Sequence, residues 1–231
     1  MTFGIENMKS LFIRADDILQ GRFRAVRQDS SLKAIYQIAL LIVFFGMLYG
    51  SVMGSFGGIF GERLWQLVIS GVKVPMLLLC TFIISLPSYF VINTLFGLRA
   101  DFKYAIRAML ATQAGLTIIL SSFAPLTAFW YVSTSNYRAA ILFNLLMFGS
   151  ATLLAQLILR RLYQPLIECD KRHRWPLRAW FVTYIFVGIQ MSWILRPFIG
   201  SPSMPPQFFR EGAWGNAYVT LVHILLSVFS N

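Results

Sequence analysis

Long apolar runs without charged residues alternate with short polar segments along most of this chain of 231 residues. Most of the runs approach the ~20 residues that an α-helix needs to cross a membrane core. The pattern therefore predicts an all-α, polytopic transmembrane helix bundle of about six spans, in a single domain over residues 34–231. The predicted spans cover residues 34–54, 74–95, 104–130, 139–159, 179–195 and 213–229.

Two of these runs allow more than one placement. Residues 64–96 form an apolar run that is too long for one perpendicular span, and Lys73 and Pro75 divide it. We therefore predict an interfacial or re-entrant segment over residues 64–72, followed by the second span, 74–95. The last run, 213–229, is short, so it either crosses the membrane or lies at the interface.

The first 33 residues follow a different pattern, in which charged residues separate apolar residues that recur every three or four positions. This period predicts an amphipathic helix with one apolar face. Such a basic helix either lies flat on the inner leaflet or packs against the protein's own cytoplasmic loops. The apolar positions are Ile5, Met8, Phe12, Ala15, Leu19, Phe23 and Val26.

Composition agrees with a membrane location. Hydrophobic residues make up 57% of the chain and charged residues 13%, against about 25% charged residues in soluble domains. So few polar residues cannot cover an apolar core in water. The formal net charge of +11 would suggest nucleic acid binding in a soluble protein, but in a membrane protein it indicates basic loops that face anionic lipid. No nucleic acid partner is expected.

The basic residues also predict an orientation. Most of the 20 Lys and Arg residues precede the first span, or lie between the second and third spans or between the fourth and fifth. Basic loops are retained in the cytoplasm, so these three segments are predicted to be cytoplasmic. With an even number of spans, both termini are cytoplasmic.

Lys73 is a candidate contact near the outer end of the second span. Ionisable side chains inside a membrane are functional candidates by default. The ammonium group either extends along the span to water and serves packing, or it binds an anion or a lipid headgroup.

The tail segment from Trp193 to Tyr218 is rich in proline and aromatic residues, which suits a rigid segment at the membrane interface. Its charged residues include Arg196, Arg210 and Glu211. The arginines either hold a phosphate headgroup, or Arg196 pairs with Glu211 inside a re-entrant cap.

The segment 160–178 is the most polar stretch of the chain. Its charge either retains a cytoplasmic loop beside anionic lipid or, together with the N-terminal helix, docks an acidic partner. The candidate contacts at this surface are Arg22, Arg24, Arg27, Arg160, Arg161, Lys171, Arg172, Arg174 and Trp175.

Several amide side chains fall inside predicted spans. Hydrogen bonds between helices explain such residues most simply. The alternative is a solute path near Lys73, Asn93 and Asn144. The amides are Asn93, Gln113, Asn144, Gln156 and Gln190.

Signatures of catalysis are missing from the sequence. No Asp or Glu lies inside a predicted span, and the two histidines, His173 and His223, have no companions at metal-ligand spacing. Hydrolase, metalloprotease and nucleotide-binding motifs are absent. We therefore predict no catalytic residue, no metal site and no cofactor.

The stretch LFGLRADFKYAIRAMLATQAGLTIILSSFAPL starts with a glycine-containing turn and a basic, aromatic helix start, continues through small residues and ends in proline. In this it resembles the core of Yip-domain membrane proteins, over about residues 35–159. The resemblance implies an adaptor for membrane organisation or trafficking, without catalytic residues or cofactors. In eukaryotes such proteins bind prenylated small GTPases.

The tail resembles a segment of uncharacterised bacterial multi-pass proteins. We therefore expect a protein of the bacterial cytoplasmic membrane, where that GTPase partner class does not apply.

Three functions are compatible with these features. The first is a non-enzymatic scaffold, assembly or trafficking-type adaptor that contacts proteins and anionic lipids, as a subunit of a larger complex or a homo-oligomer. The second is a small-solute transporter or channel subunit. The third is an enzyme that acts on lipid headgroups through Arg196, Arg210 and Glu211.

Overall fold

The computed structural model describes residues 2–22, 32–200, 205–210 and 212–219, and within them the chain forms an all-α bundle without β-strands. Three short 3₁₀ turns, Gly61–Arg63, Arg99–Asp101 and Lys171–His173, connect the helices. The helices are α1 (Thr2–Leu19), α2 (Leu32–Gly54), α3 (Leu64–Leu95), α4 (Phe102–Ser122), α5 (Ala124–Ser133), α6 (Tyr137–Cys169) and α7 (Arg174–Leu195).

Five segments of the described chain are long and apolar enough to cross a membrane: α2, α3, α4 continued by α5, α6, and α7. The chain is therefore a multi-pass membrane protein. The predicted sixth span, 213–229, lies mostly outside the described residues, which end at Val219.

Successive spans run in opposite directions, which gives the bundle two chemically different ends. At the basic end, Asp101, which precedes α4 in the chain, lies within hydrogen-bonding distance of His173, which precedes α7. At the cap end, the segment after α7 lies over the start of α3, where Lys73 contacts Pro197. The turns at the basic end carry many lysines and arginines, as the sequence predicts for a single membrane side.

Helix α3 corrects the predicted break at Lys73 and Pro75. It runs without interruption for 32 residues, from Leu64 to Leu95, and includes both Pro75 and Pro87. Residues 64–72 are therefore the first turns of the spanning helix and not a separate segment. Proline is tolerated inside spanning helices because neighbouring groups satisfy the freed backbone. At ~48 Å, the helix is longer than a ~30 Å membrane core.

The third predicted span, 104–130, falls within one apolar segment that is long enough to cross a membrane, but this segment consists of two helices. Helix α4 ends at Ser122, and α5 begins at Ala124 with a proline in its first turn. Proline suits the first turn of a helix because its missing N–H has no partner there in any case. Pro125 therefore starts a new helix.

The boundaries of the fourth and fifth spans extend into the predicted basic loop. Helix α6 continues ten residues past Leu159 to Cys169, and α7 already begins at Arg174. The apolar face of α6 continues through Leu162 and Leu166, which are buried and extend the helix beyond the apolar run. The predicted loop 160–178 is therefore mostly helix around a tight turn.

Two glycines let α2 and α3 approach closely. A side-chain carbon placed on Gly50 would lie 2.4 Å from the carbonyl oxygen of Ser70, and one on Gly54 would lie 2.6 Å from that of Gln66. Small residues at such crossings are the usual means of tight helix packing in membranes. This contact fixes the position of the start of α3 at the cap end of the bundle.

The N-terminal helix is confirmed as α1, but its buried face differs from the predicted one. Ile18 is 1% exposed and packs with Ala15 and Leu11 into the core, whereas Phe12 is 65% exposed. Of the two predicted placements, packing on the protein agrees with these contacts, and α1 packs mainly on the spanning helix α4. Phe23 and Val26 lie outside the described residues.

Candidate functional site

Lys73 is completely buried and holds the segment that follows α7. Its Nζ donates to the carbonyl oxygens of Pro197, at 2.8 Å, and Gln207, at 3.3 Å. The ammonium group also lies 5.1 Å from the ring centre of Phe208. Carbonyl dipoles and an aromatic ring thus compensate the charge. In this arrangement Lys73 serves packing and does not extend to water.

We call residues 196–200 and 205–210 the cap segment. Two further donors hold its backbone: the Ser70 hydroxyl donates to the carbonyl of Phe198, and the Tyr137 hydroxyl donates to that of Ile199 at 3.2 Å. A proline-rich segment supplies few N–H groups to its own carbonyls, so donors must come from elsewhere. Helices α3 and α6 provide them.

The arginines of the cap segment face the same space. The Arg196 guanidinium lies 3.3 Å from the ring centre of Trp193, and its Nε is buried without a hydrogen-bond partner among the described residues. Burial lowers the pKa of Arg196, and the nearby charge of Arg210 lowers it further. Two cationic groups therefore lie close together at the cap end.

Beneath these arginines lies a groove between α6 and α7. Helix α6 packs mainly on α4 and α7 mainly on α3, and the two make little direct contact. The gap between them has a volume of about 650 Å³, with Arg196 and Arg210 at its cap end. Its apolar lining includes Met53, Leu77, Ile141, Leu145, Phe148 and Ile189. We call this space the lateral groove.

A smaller cavity of about 130 Å³, the inner pocket, adjoins the lateral groove deeper in the bundle, and Leu77 and Phe148 line both. Its polar lining is uncharged throughout. The residues with hydrogen-bonding side chains that line it are Thr81, Thr112, Gln113, Thr152, Gln156, Trp180 and Tyr184.

Asn93 and Asn144 of the predicted solute path lie apart, and Asn144 also lines the lateral groove. Asn144 donates to the Ala140 carbonyl and to the Tyr131 hydroxyl, and it accepts from the Tyr49 hydroxyl at 3.1 Å. Asn93 lies near the other end of the bundle, where its amide donates to the Leu98 carbonyl at 2.8 Å. These amides hold helices and turns together, and neither lies beside the other.

A buried hydrogen-bond chain at the basic end was not predicted from the sequence. The Tyr89 and Tyr163 hydroxyls are 2.8 Å apart, Tyr163 lies 3.3 Å from His173 Nδ1, and His173 Nε2 lies 3.2 Å from Asp101. Tyr89, Tyr163 and His173 are almost fully buried, while Asp101 is partly exposed. A hydrogen on Nε2 facing Asp101 leaves Nδ1 free to accept from Tyr163.

Sequence reasoning missed this chain because its members lie in four separate elements. The sequence pattern places His173 and Tyr163 in the predicted loop 160–178 and Tyr89 in the predicted second span. The sequence does show polar groups at the predicted basic end of adjacent spans. Many residues there share this feature, so it does not single out the members of the chain.

Those predicted cytoplasmic contacts that the structure describes lie together on the basic end. Arg22 pairs with Asp17 at 3.1 Å, and a side-chain carbon placed on the adjacent Gly21, just after α1, would lie 2.9 Å from the Cβ of Arg161. Trp175 is exposed and carries the Arg178 guanidinium 5.6 Å from its ring centre. The other exposed members of this basic face are Arg160, Lys171, Arg172 and Arg174.

Three predicted contacts, Arg24, Arg27 and Glu211, lie outside the described residues. The proposed pair between Arg196 and Glu211 is therefore a prediction still. Among the residues that the structure describes, no group of three or more His, Cys, Asp or Glu side chains is placed to hold a metal ion.

No protein-family model, curated protein or solved structure matches this chain. The resemblance to Yip-domain proteins therefore stays a prediction. What the structure shows is an all-α, multi-pass membrane protein with a cationic lateral groove at one end and a basic face at the other.

Proposed function

We propose that this protein is a non-enzymatic scaffold or adaptor of the bacterial cytoplasmic membrane, and that its lateral groove holds a membrane lipid with an anionic headgroup. The observation that carries the proposal is the position of Arg196 and Arg210 at the end of an apolar groove between two helices that hardly touch. A groove of this form matches a molecule with a charged head and apolar chains.

The apolar part of the groove suits acyl chains. Its volume of about 650 Å³ lies within the range of ligand sites, ~300–1,000 Å³. Helix pairs that pack tightly exclude lipid, whereas α6 and α7 leave Leu77 of α3 accessible between them. A chain that lies in this gap replaces the missing contact between the two helices.

The polar part suits a phosphate. Guanidinium groups bind phosphate oxygens through short, charge-assisted hydrogen bonds. Arg196 Nε is buried without a partner in the described part of the chain, and the charge of Arg210 lies nearby. An anion between the two arginines provides the missing acceptor and offsets the repulsion between like charges.

The basic face supports the adaptor part of the proposal. Arg161 of α6 lies near Gly21, which follows α1, so the N-terminal segment and the last turns of α6 form one surface. Exposed arginines and Trp175 on this surface fit an acidic protein partner or anionic lipid.

The lipid site is tested by the lipids that co-purify with the protein in mild detergent. We expect mass spectrometry to find phosphatidylglycerol enriched over phosphatidylethanolamine relative to the source membrane. The double variant Arg196→Gln, Arg210→Gln is expected to lose most of this enrichment.

The matched control is Arg138→Gln, because Arg138 lies at the cap end but does not line the groove. The control is expected to keep the enrichment. Equal enrichment in the double variant and the wild type would exclude the groove as the headgroup site.

Transport of a small solute is the second candidate, and the observation that favours it is the inner pocket adjoining the groove. It predicts that glycerol enters proteoliposomes faster than protein-free liposomes in a stopped-flow light-scattering assay. Equal rates would remove this candidate for uncharged solutes.

A further inference from the structure

We propose that the inner pocket is a second binding site, for a small uncharged molecule that presents an oxygen acceptor, such as an alcohol, a ketone or an amide. The ligand enters from the lipid through the gap between α6 and α7. This site is separate from the headgroup contact of the lateral groove and does not depend on it.

Thr81 provides the first observation. Its side chain is 1% exposed, lines the inner pocket, and has a hydroxyl oxygen that is buried without any hydrogen-bond partner among the described residues. A hydroxyl in a membrane interior usually finds a partner, often a carbonyl one turn earlier in its own helix. The Thr112 hydroxyl does so, at 2.8 Å from the carbonyl of Ala108.

Gln113 provides the second, independent observation. Its Oε1 accepts a hydrogen bond from the Tyr184 hydroxyl at 2.9 Å, so the acceptor side of the amide is occupied. This bond orients the amide and leaves its nitrogen as a donor. In the described part of the chain no group accepts from that nitrogen. Thr81 and Gln113 thus each carry a donor without an acceptor, and both residues line one small space.

The charge of the lining defines the ligand class. None of the residues lining the inner pocket is ionisable except Tyr184, whose hydroxyl is already bonded to Gln113. A charged ligand would be strongly disfavoured here, since nothing compensates it in a region of low dielectric constant. An uncharged acceptor oxygen, by contrast, satisfies both donors.

Depth separates this pocket from the headgroup site. Tyr184 precedes Arg196 by twelve residues of the α7 region, which corresponds to ~18 Å along a helix. The phosphate of a lipid bound at the arginines therefore cannot reach the inner pocket. Only its chains could extend there, and they carry no acceptor.

Size limits the ligand to a small ring or a short chain. The pocket volume of about 130 Å³ is close to that of the ~150 Å³ engineered cavity that binds benzene. A longer apolar tail fits if it passes Leu77 and Phe148 into the lateral groove. A medium-chain alcohol meets both conditions.

The experiment uses the full chain in lipid nanodiscs and a photoreactive diazirine analogue of octan-1-ol as the probe. We expect labelled peptides to map to the pocket, at Leu77, Phe148 or Tyr184. Excess octan-1-ol is expected to displace the label, and octane to do so about tenfold less well, because octane lacks the acceptor. Thr81→Val, which keeps the side-chain volume, is expected to weaken labelling about tenfold.

Thr127→Val is the matched control. Thr127 is also fully buried, but its hydroxyl bonds to the Phe123 carbonyl and it does not line the pocket. Gln113→Met tests the second donor if Thr81→Val does not fold. Unchanged labelling in a folded Thr81 or Gln113 variant, or equal displacement by octane, would overturn the proposal and leave only an apolar gap. Loss of the lipid enrichment in the arginine variants would leave this proposal for the inner pocket intact.

Discussion

The hydroxyl oxygens of Tyr89 and Tyr163 lie 2.8 Å apart, where α3 and α6 meet near the basic end of the bundle. Tyr163 also contacts His173, which contacts Asp101, so one buried chain joins two spans and two turns. Tyr89 stacks on Phe102 at a centroid distance of 5.8 Å. Rings and hydroxyls together hold the ends of four segments in one arrangement.

Removing the Tyr163 hydroxyl tests the contribution of this chain. Tyr163→Phe keeps the ring but leaves Tyr89 and His173 without their shared partner. Buried groups that lose a partner cost ~1–3 kcal/mol, so the free energy of unfolding in a denaturing detergent should fall by that amount. Tyr36→Phe is the control, because Tyr36 is 67% exposed. A loss no larger than in the control would mean that the chain contributes little stability.

The close approach of α2 and α3 predicts that a glycine at their contact cannot be replaced by a larger residue without loss of stability. Gly50→Val would place a carbon 2.4 Å from the Ser70 carbonyl oxygen, so the helices must separate. We expect a loss of about 3 kcal/mol in the free energy of unfolding, at the upper end for overpacking. Gly149→Val meets nothing within 4 Å and is expected to change stability by less than about 1 kcal/mol. Similar effects at both positions would contradict the close contact.

The cap segment should loosen when Lys73 loses its charge. Lys73→Met keeps an apolar stem but removes the donors to Pro197 and Gln207. We expect faster hydrogen exchange at the backbone amides of residues 207–210, measured by mass spectrometry, with no change in α4. Arg138→Met, at the same end, serves as the control. Unchanged exchange in the cap segment would show that Ser70 and Tyr137 suffice to hold it.

Acid should weaken the turn at the basic end. Hydrogen bonds from the Arg172 side chain and backbone lower the pKa of Asp170 below its ordinary value of about 3.9. The ionised carboxylate therefore stabilises the fold above that value, and this contribution is lost as pH falls through the lowered pKa. We expect amide exchange at Arg172, corrected for intrinsic rates, to rise below about pH 4. The Asp170→Asn variant should lack this pH dependence; if it retains it, another group is responsible.

The predicted orientation can be tested with the native cysteines. Cys169 is exposed at the basic end, while Cys80 is only partly exposed within α3. A membrane-impermeant thiol reagent should therefore label Cys169 in inverted vesicles but not in intact cells. Ser135→Cys, at the exposed turn between α5 and α6, should show the opposite pattern. Labelling of Cys169 in intact cells would invert the orientation.

Several features of this fold follow from residue order alone. A membrane core accepts only long apolar helices, so the run after Ala34 identifies a span without knowledge of its neighbours. The clustering of arginines at one end is equally local, because each short loop carries its own charge. Lys73 and the cap segment were also recognisable, since a lysine in an apolar run and a proline-rich tail are unusual by themselves.

Helix boundaries were harder to predict from the sequence because they depend on tertiary contacts with other helices. Pro75 would disfavour the continuation of an isolated helix, but α3 continues through it while its neighbours pack against it. Beyond Leu159 the apolar run ends, yet α6 continues because Tyr163 and Leu166 find buried contacts. The polarity of the sequence around these positions does not reveal such tertiary contacts.

Tertiary structure alone decided which polar groups meet. Lys73 and Pro197 are 124 positions apart, and Asp101 and His173 are 72 apart. Such pairs depend on which faces of the helices turn toward each other. A small rotation of one helix would separate them. The same holds for the lateral groove, which exists because α6 and α7 each pack on a different inner helix and leave a gap between them.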